Sequence, residues 1–333
     1  MKLKQLGEYK LIERLLKKPQ KPLSLPGIKT LVPNGDDASV LSFSKNNLVF
    51  TTDLLFENVH FSLDWDKALG GRKKLFEALG YKSLAINVSD LSSMGCKDKP
   101  IYCLIGVGLP EKIDVKDILH LYNGLSKVCS KYGIQIIGGD TNSSAVLTIA
   151  VTVIGTVKKN NITRRSGAKP GDKIYVTGPL GDSAGGLAIL LGKNKKAKLQ
   201  PEINNYLINR HLYPPVLIKN AQKIASRAHC MIDCSDGLIN SINLICWASK
   251  TGAIIDTTKI PLSKQLSAYS LLTNTSALDY ALYGGEDYEL IFTSNKTLSN
   301  YFCIGEITKK GINYQTNGKN FEIKNNKTYQ HFK

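Results

Sequence analysis

A polar stretch in the middle of the chain, KKNNITRRSGAKPGD at 158–172, limits the fold more than any other feature. Before it, VLTIAVTVIGTV (146–157) reads as a long strand. After it, KIYVTG (173–178) reads as another. The stretch itself holds a Pro-Gly turn signal. The chain has 333 residues, and single cores stop growing near about 250–300 residues. Two domains are therefore expected, at 1–157 and 158–333.

Both halves mix helices with strands, which places each in the α/β to α+β class. In the first half, 1–30 reads as a helical arm with a Pro-rich connector, and 47–53 as a strand ending in polar residues. A helix is expected over 71–94, with apolar positions Leu75, Leu79, Ala85 and Ile86. A buried strand follows at 101–109, a helix at 114–132 and a strand at IQIIGG. In the second half, a Gly-rich turn leads into a helix at PLGDSAGGLAILLG. Further helices are expected at 214–228 and 238–250, and strands at 253–257, 288–293 and 302–308.

Apolar residues make up 42% of the chain, enough for packed cores. No run approaches the roughly 20 apolar residues of a membrane-spanning helix. Charges interrupt the N-terminal apolar residues where a signal peptide needs an unbroken core. A cytoplasmic protein outside the membrane is expected. The seven cysteines are odd in number and scattered, so they read as reduced buried thiols rather than disulfides or a metal site. The net charge of +17 suits either a nucleic-acid binder or an enzyme of anionic small molecules. The basic residues are mostly dispersed lysines and no nucleic-acid-binding motif is present, so charge alone leaves both candidates open.

The acidic residues carry more information. Six segments place carboxylates beside glycines or at the ends of apolar strands: Gly35-Asp36-Asp37, Thr51-Thr52-Asp53, Asn87-Val88-Ser89-Asp90, Gly138-Gly139-Asp140-Thr141, Asp233-Cys234-Ser235-Asp236-Gly237 and Gly284-Gly285-Glu286-Asp287-Tyr288. Any one is an ordinary turn or cap. Ser235 and Asp236, for instance, suit the N-terminus of the helix near Leu238. Asn87 and Asp90 lie three apart and share a helix face. Six such segments together suggest carboxylates gathered at the rim of a sheet. Gathered carboxylates repel one another unless cations neutralise them, and Mg²⁺ bridges carboxylates to phosphates. Gly138-Gly139 and Gly178-Pro179-Leu180-Gly181 offer backbone N–H groups to phosphate oxygens. The common nucleotide-binding and kinase motifs are missing.

The ordered set GDDASV, TTDLLFENVHF, NVSDLSSMG, IIGGDT, TRRSGAKPGD, VTGPLGDSAGGL, IDCSDGL and GGEDYEL resembles the thiamine-monophosphate kinases, from residue 35 to 290. The resemblance implies the two-domain fold shared with aminoimidazole ribonucleotide synthetase, dimeric through N-terminal sheets. It implies ATP-dependent phosphorylation of thiamine monophosphate to thiamine diphosphate, with Mg²⁺ and with any K⁺ requirement left open. By position, Asp37, Thr51, Thr52, Asp53, Asp90, Asp140, Asp233 and Asp236 would hold metal ions. Gly139, Asp140, Arg165 and Ser235 would contact ATP. His60, Glu286 and Tyr329 would contact thiamine monophosphate. No acid–base residue is assigned, and Arg165 would stabilise charge. Tyr288 and Leu290 read as core. The alternatives are another ATP-dependent enzyme of the superfamily, such as a purine-pathway synthetase, a hydrogenase-maturation dehydratase or selenophosphate synthetase, and, from a different class, a basic nucleic-acid-binding protein.

Overall fold

A computed structural model describes residues 28–32, 36–43, 46–97, 99–193 and 199–323. The N-terminal arm and Tyr329 lie outside these residues. Ile28–Thr30, expected to belong to the arm, instead open the first strand.

The described chain forms two mixed sheets, one on each side of the polar stretch. The first contains β1 (Ile28–Val32), β2 (Ser39–Phe43), β3 (Asn46–Phe56), β4 (Ile101–Leu109), β5 (Ile134–Ser143) and β6 (Thr148–Val157), in the order β1-β2-β3-β6-β4-β5. Only β4 and β5 run parallel. The hairpin β1–β2 was not legible in the sequence. Its core-facing positions are few, and Val32, Ala38 and Val40 are its buried apolar residues.

Three described helices accompany this sheet's connections. Short α1 (Asp66–Leu69) ends at left-handed Gly70. Long α2 (Arg72–Ser93) and α3 (Val115–Tyr132) cover the sheet's inner face. The expected apolar positions Leu75, Leu79, Ala85 and Ile86 are all buried, yet α2 is buried nearly all round. A helix of that kind is a core element rather than a surface one. It packs on β3, β6 and α3 and also reaches the second half of the chain. Each fully buried leucine, such as Leu79 or Leu84, contributes about 1.5–3 kcal/mol. The α2–α3 crossing is close because Gly80 and Gly124 meet there. A Cβ on Gly80 would lie 1.9 Å from the Leu121 carbonyl oxygen, and one on Gly124 would lie 1.9 Å from that of Glu77.

The second sheet contains β7 (Lys173–Val176), β8 (Cys230–Asp233), β9 (Gly252–Asp256), β10 (Leu290–Ser294), β11 (Phe302–Thr308), β12 (Ile312–Thr316) and β13 (Lys319–Phe321), in the order β13-β12-β9-β11-β7-β10-β8. Its helices are α4 (Asp182–Leu190), α5 (Pro201–Leu212), α6 (Ile218–Ala225), α7 (Leu238–Ser249), α8 (Lys264–Thr273) and α9 (Ala277–Tyr283). The sequence reading did not include α5, α8 and α9. Leu190, Ile208, Leu212, Ile218 and Tyr288 join the hydrophobic core of the first half, so the apolar core is continuous across the junction.

Candidate active site

Strand β3 sorts its polar residues by face. Val49 and Leu55 are buried on the side of α2, and Thr51 and Asp53 share that side. Helix α2 meets them with Asn87 and Asp90, one turn apart. Asn87 Oδ1 accepts the Asp53 N–H at 3.1 Å, and Thr51 Oγ1 donates to Asp90 Oδ2 at 2.6 Å. The shared face expected for Asn87 and Asp90 is therefore the face that meets β3.

The second half brings further carboxylates to the same place. Asp233 ends β8 and accepts a 2.7 Å hydrogen bond from Ser89 Oγ of α2, across the junction. Asp236 follows in the next loop. It does not cap α7; Gly237 occupies the N-cap with a φ of 93° and no side-chain cap is made. Asp236 instead accepts from Asn240 at 3.2 Å. Arg165, in the polar stretch, donates from Nε to Asp37 Oδ1 at 2.6 Å, and its backbone N–H donates to Asp36 Oδ1 at 3.1 Å.

Asp37, Asp53, Asp90 and Asp233 sense one another's charge. Burial raises the pKa of Asp90, and the charges of Asp53, Asp233 and Asp37 raise it further. Burial likewise lifts Asp53, with Asp236 adding to it. It lifts Asp233 too, aided by Asp37 and opposed by Ser89 and Arg165. Asp37 Oδ2 is buried without a hydrogen-bond partner among the described residues. A cleft with this excess of negative charge fits cations. Among the described residues, no three His, Cys, Asp or Glu side chains already surround one point as a preformed cage. Mg²⁺ needs no such cage, because it keeps several waters and binds through one or two carboxylates plus substrate phosphates.

The GGEDYE loop closes the other end of the cleft. Glu286 N donates to the Ser235 carbonyl at 2.6 Å and Tyr288 N to that of Cys234 at 3.0 Å, so this loop is stitched to the loop of Asp233 and Asp236. Glu286 and Tyr288 have φ values of 63° and 52°, left-handed for non-glycine residues. Such strain clusters at functional sites. The loop's three acids divide their tasks. Asp287 takes the Gly181 and Ser183 N–H groups at 2.6 and 3.1 Å, and Glu289 pairs with Arg210 at 3.0 Å. Gly181, expected to offer its N–H to phosphate, thus serves a protein carboxylate. Glu286 turns instead toward Lys82, at 2.8 Å. Tyr288 and Leu290 are buried as expected.

His60 follows β3 in a turn, where its Nδ1 accepts the Phe56 N–H at 3.0 Å. Burial would raise the Glu286 pKa, but Lys82 and His211, with a smaller contribution from His60, hold it below the usual range.

Thr52 and Asp140 lie elsewhere. Thr52 faces the outer side of the sheet, where Thr152 Oγ1 donates to its hydroxyl at 3.0 Å. Asp140 is aligned through Gly106 and Ala150 with Leu54, on that same outer side. It sits on the edge strand, three strand spacings from β3, or about 14 Å. Its carboxylate accepts from Thr141 N and Asn142 Nδ2. Gly139 has a structural reason of its own, since a Cβ there would lie 1.9 Å from the Ile105 carbonyl oxygen.

Sequence reasoning assigned no role to Lys82, Ser89, Ser183 and His211. Lys82 and Ser89, seven apart on α2, share one face of the helix, a polar spacing that could have been noticed. His211 and Ser183 carried no such signal. A cavity of about 1000 Å³ also opens beside Arg165, lined by Asp36, Arg164, Trp247 and Lys250, but not by Asp53, Asp90 or Asp233.

The family model of the AIR synthase related protein N-terminal domain matches residues 35–157, and that of its C-terminal domain matches residues 169–311. A thiamine-monophosphate kinase of Aquifex aeolicus is 34% identical, over 100% of both chains. The chain belongs to the thiamine-monophosphate kinase family. Another member, from Buchnera aphidicola subsp. Acyrthosiphon pisum, is 36% identical over 98% of each chain. Among solved structures, AaThiL complexed with AMPPCP and TMP superposes with a TM-score of 0.84 at 32% identity. The match covers 100% of this chain and 99% of that one. The family's two-domain architecture, a mixed sheet with packed helices in each half, is the one found here.

Proposed function

We infer that the protein is an ATP-dependent thiamine-monophosphate kinase, which transfers the γ-phosphoryl group of ATP to the phosphate of thiamine monophosphate. The products are thiamine diphosphate and ADP. The observation that carries this reading is the convergence of Asp37, Asp53, Asp90 and Asp233 with Arg165 at the junction of the two halves. Full-length likeness to kinases of that name, and to a structure holding AMPPCP and TMP, supports the substrates.

A phosphate oxygen of thiamine monophosphate attacks the γ-phosphorus in line. One P–O bond forms, the β–γ bridging P–O bond breaks, and ADP leaves with that electron pair. The attacking phosphate is already an anion near neutral pH, with a second pKa of about 6, so no strong general base is needed. Repulsion between the two anions is the main barrier. Bound Mg²⁺ ions supply charge neutralisation there. Asp37, Asp53, Asp90 and Asp233 are the residues that would hold them, with Thr51 and Asp236 nearby. Arg165 adds a fixed positive charge, and Ser235, next to Asp236 in the chain, contacts ATP. His60 and Glu286 hold the thiamine portion, as would Tyr329.

The same proposal assigns residues 1–157 to ATP and metal binding and residues 158–333 to completing the site. The outer face of the first sheet exposes Leu54, Phe56, Tyr102 and Leu104. We assign it to a homodimer contact, with Thr52, Gly139 and Asp140 acting on ATP and metal at that face. No described helix is long and apolar enough to cross a membrane. A cytoplasmic location and a role without nucleic acid complete the proposal.

The test is to incubate the protein with ATP, Mg²⁺ and thiamine monophosphate and to separate the products by chromatography, with EDTA as control. Thiamine diphosphate that forms only with Mg²⁺ is expected. Folded protein that binds Mg-ATP yet makes no product would direct the search to another phosphate acceptor.

A further inference from the structure

Behind Glu286 lies a buried charge that none of the assigned roles uses. Lys82 is in the middle of α2 and is 1% exposed. Its ammonium group is 2.8 Å from Glu286 Oε1 and 3.3 Å from His211 Nε2. Lysine has only donors, so Nε2 must be the unprotonated nitrogen of this ring and Nδ1 carries the hydrogen. Nδ1 is 3.0 Å from Ser183 Oγ and 3.5 Å from Glu286 Oε2. The edge of Trp65 packs on the same imidazole, with ring centroids 5.6 Å apart. This carboxylate of the GGEDYE loop is thus met directly by Lys82 of α2 and His211 of α5, with Ser183 of α4 supporting the imidazole.

This arrangement orients Glu286. The carboxyl side chain is on a strained loop, yet one of its oxygens is fixed by a lysine that is itself immobile. A buried lysine is tolerated only when paired. Its charge is matched by Glu286 alone, because His211 is neutral. The converse also holds: the Glu286 charge is already balanced by Lys82, so the free lone pairs of its oxygens are suited to accepting hydrogen bonds rather than to balancing a cationic ring.

We propose that Lys82 is a positioning residue for the substrate, holding Glu286 as an oriented, charge-compensated acceptor for the donor edge of thiamine monophosphate. The inference rests on the reading of Glu286 as a substrate contact. Lys82 touches no reacting atom, so its effect falls on binding of this one substrate. A residue of merely structural importance would lower stability and both substrates' constants together.

The experiment measures kcat and KM separately for thiamine monophosphate and for ATP, in the wild type, Lys82→Met, Glu286→Gln and the double variant. Urea midpoints are taken alongside. Lys82→Met is expected to raise KM for thiamine monophosphate roughly tenfold and leave KM for ATP within about twofold. In the Glu286→Gln background, Lys82→Met is expected to add less than about twofold, because the residue it positions has already lost its charge. If the single Lys82→Met variant does not fold, Glu286→Gln is compared with the double variant, in which no unpaired buried ion remains. A KM raised by Glu286→Gln but unmoved by Lys82→Met overturns the positioning role, as do effects that multiply fully. A wild-type KM in Glu286→Gln overturns the underlying reading of Glu286 instead, and the inference with it.

Discussion

Thr52 and Asp53 are neighbours in sequence and stand on opposite faces of one strand. The period of two in β structure separates them whatever their chemistry. Asp53 joins the buried carboxylates at the junction, while Thr52 faces outward with Asp140. If the inner set neutralises the reacting phosphates through metal, Asp53→Asn and Asp90→Asn should each reduce turnover by about two orders of magnitude or more without unfolding the protein. Near-normal turnover in both folded variants would remove the metal assignment. His211 supports a second residue-scale prediction. Burial, aided by Lys82, lowers its pKa from the ordinary 6.5 to about 3. The unfolded chain then binds a proton that the folded one refuses, so stability is complete above 6.5 and falls as pH drops toward 3. The loss contributed by this residue is on the order of a few kcal/mol. His211→Gln, which offers an amide donor and acceptor in its place, should flatten the fall in melting temperature between pH 6.5 and 3. A profile parallel to the wild type would show that the imidazole is not held neutral.

At the scale of elements, the α2–α3 pair explains why a helix of modest amphipathic pattern is so well buried. Gly80 and Gly124 let the two backbones approach until no Cβ fits between them. Ordinary helix propensity favours Ala over Gly by about 1 kcal/mol. Here the added methyl group meets backbone rather than a movable side chain, and overpacking costs about 1–3 kcal/mol or more. Gly124→Ala is therefore expected to destabilise by at least 1 kcal/mol net, read from the urea midpoint. A stabilised variant would mean that the helices can separate freely. The same closeness has a functional result. It seats α2 deep between the halves, where Asn87, Ser89 and Asp90 meet β3 and β8 and Lys82 meets the GGEDYE loop. That loop divides its acids by direction, with Asp287 and Glu289 anchored to α4 and α5 and Glu286 left for the cleft.

Across the whole molecule, the metal binding proposed for the carboxylate cleft would be a proton-linked event. Burial and mutual repulsion lift Asp53 to about 6 and Asp233 to about 8. A cation must displace the protons these groups retain, so Mg²⁺ affinity should fall as pH drops from about 8 to about 6. Titration calorimetry of Mg²⁺ with a non-hydrolysable ATP analogue, in buffers of different ionisation heat, would read the released protons. No proton release across that window would mean the cleft binds no metal through these groups. Both halves supply carboxylates to the cleft, so a metal complex held there should raise the melting temperature of the whole chain in one transition.

Much of this was legible in the one-dimensional chain. The polar break at 158–172 separates two sheets because a polar, Pro-Gly stretch cannot continue a buried strand. Strands 101–109 and 302–308 fall where their apolar runs end. Four of the acidic segments, those of Asp37, Asp53, Asp90 and Asp233, do gather in one buried cleft, as the sequence led one to expect. The β1–β2 hairpin, the α5, α8 and α9 helices and the partners of each acid were not legible. Local pattern reports which face of an element is apolar, but not which distant element will cover it. Asp53, Asp90 and Asp233 look alike in sequence to Asp140 and Asp287. Only the tertiary structure decided that the first three share a buried cleft, that Asp140 lies on the far side of the sheet and that Asp287 caps a helix. Pairing across 144 residues, as between Ser89 and Asp233, depends on how two sheets pack against one helix, and no local interaction encodes that distance.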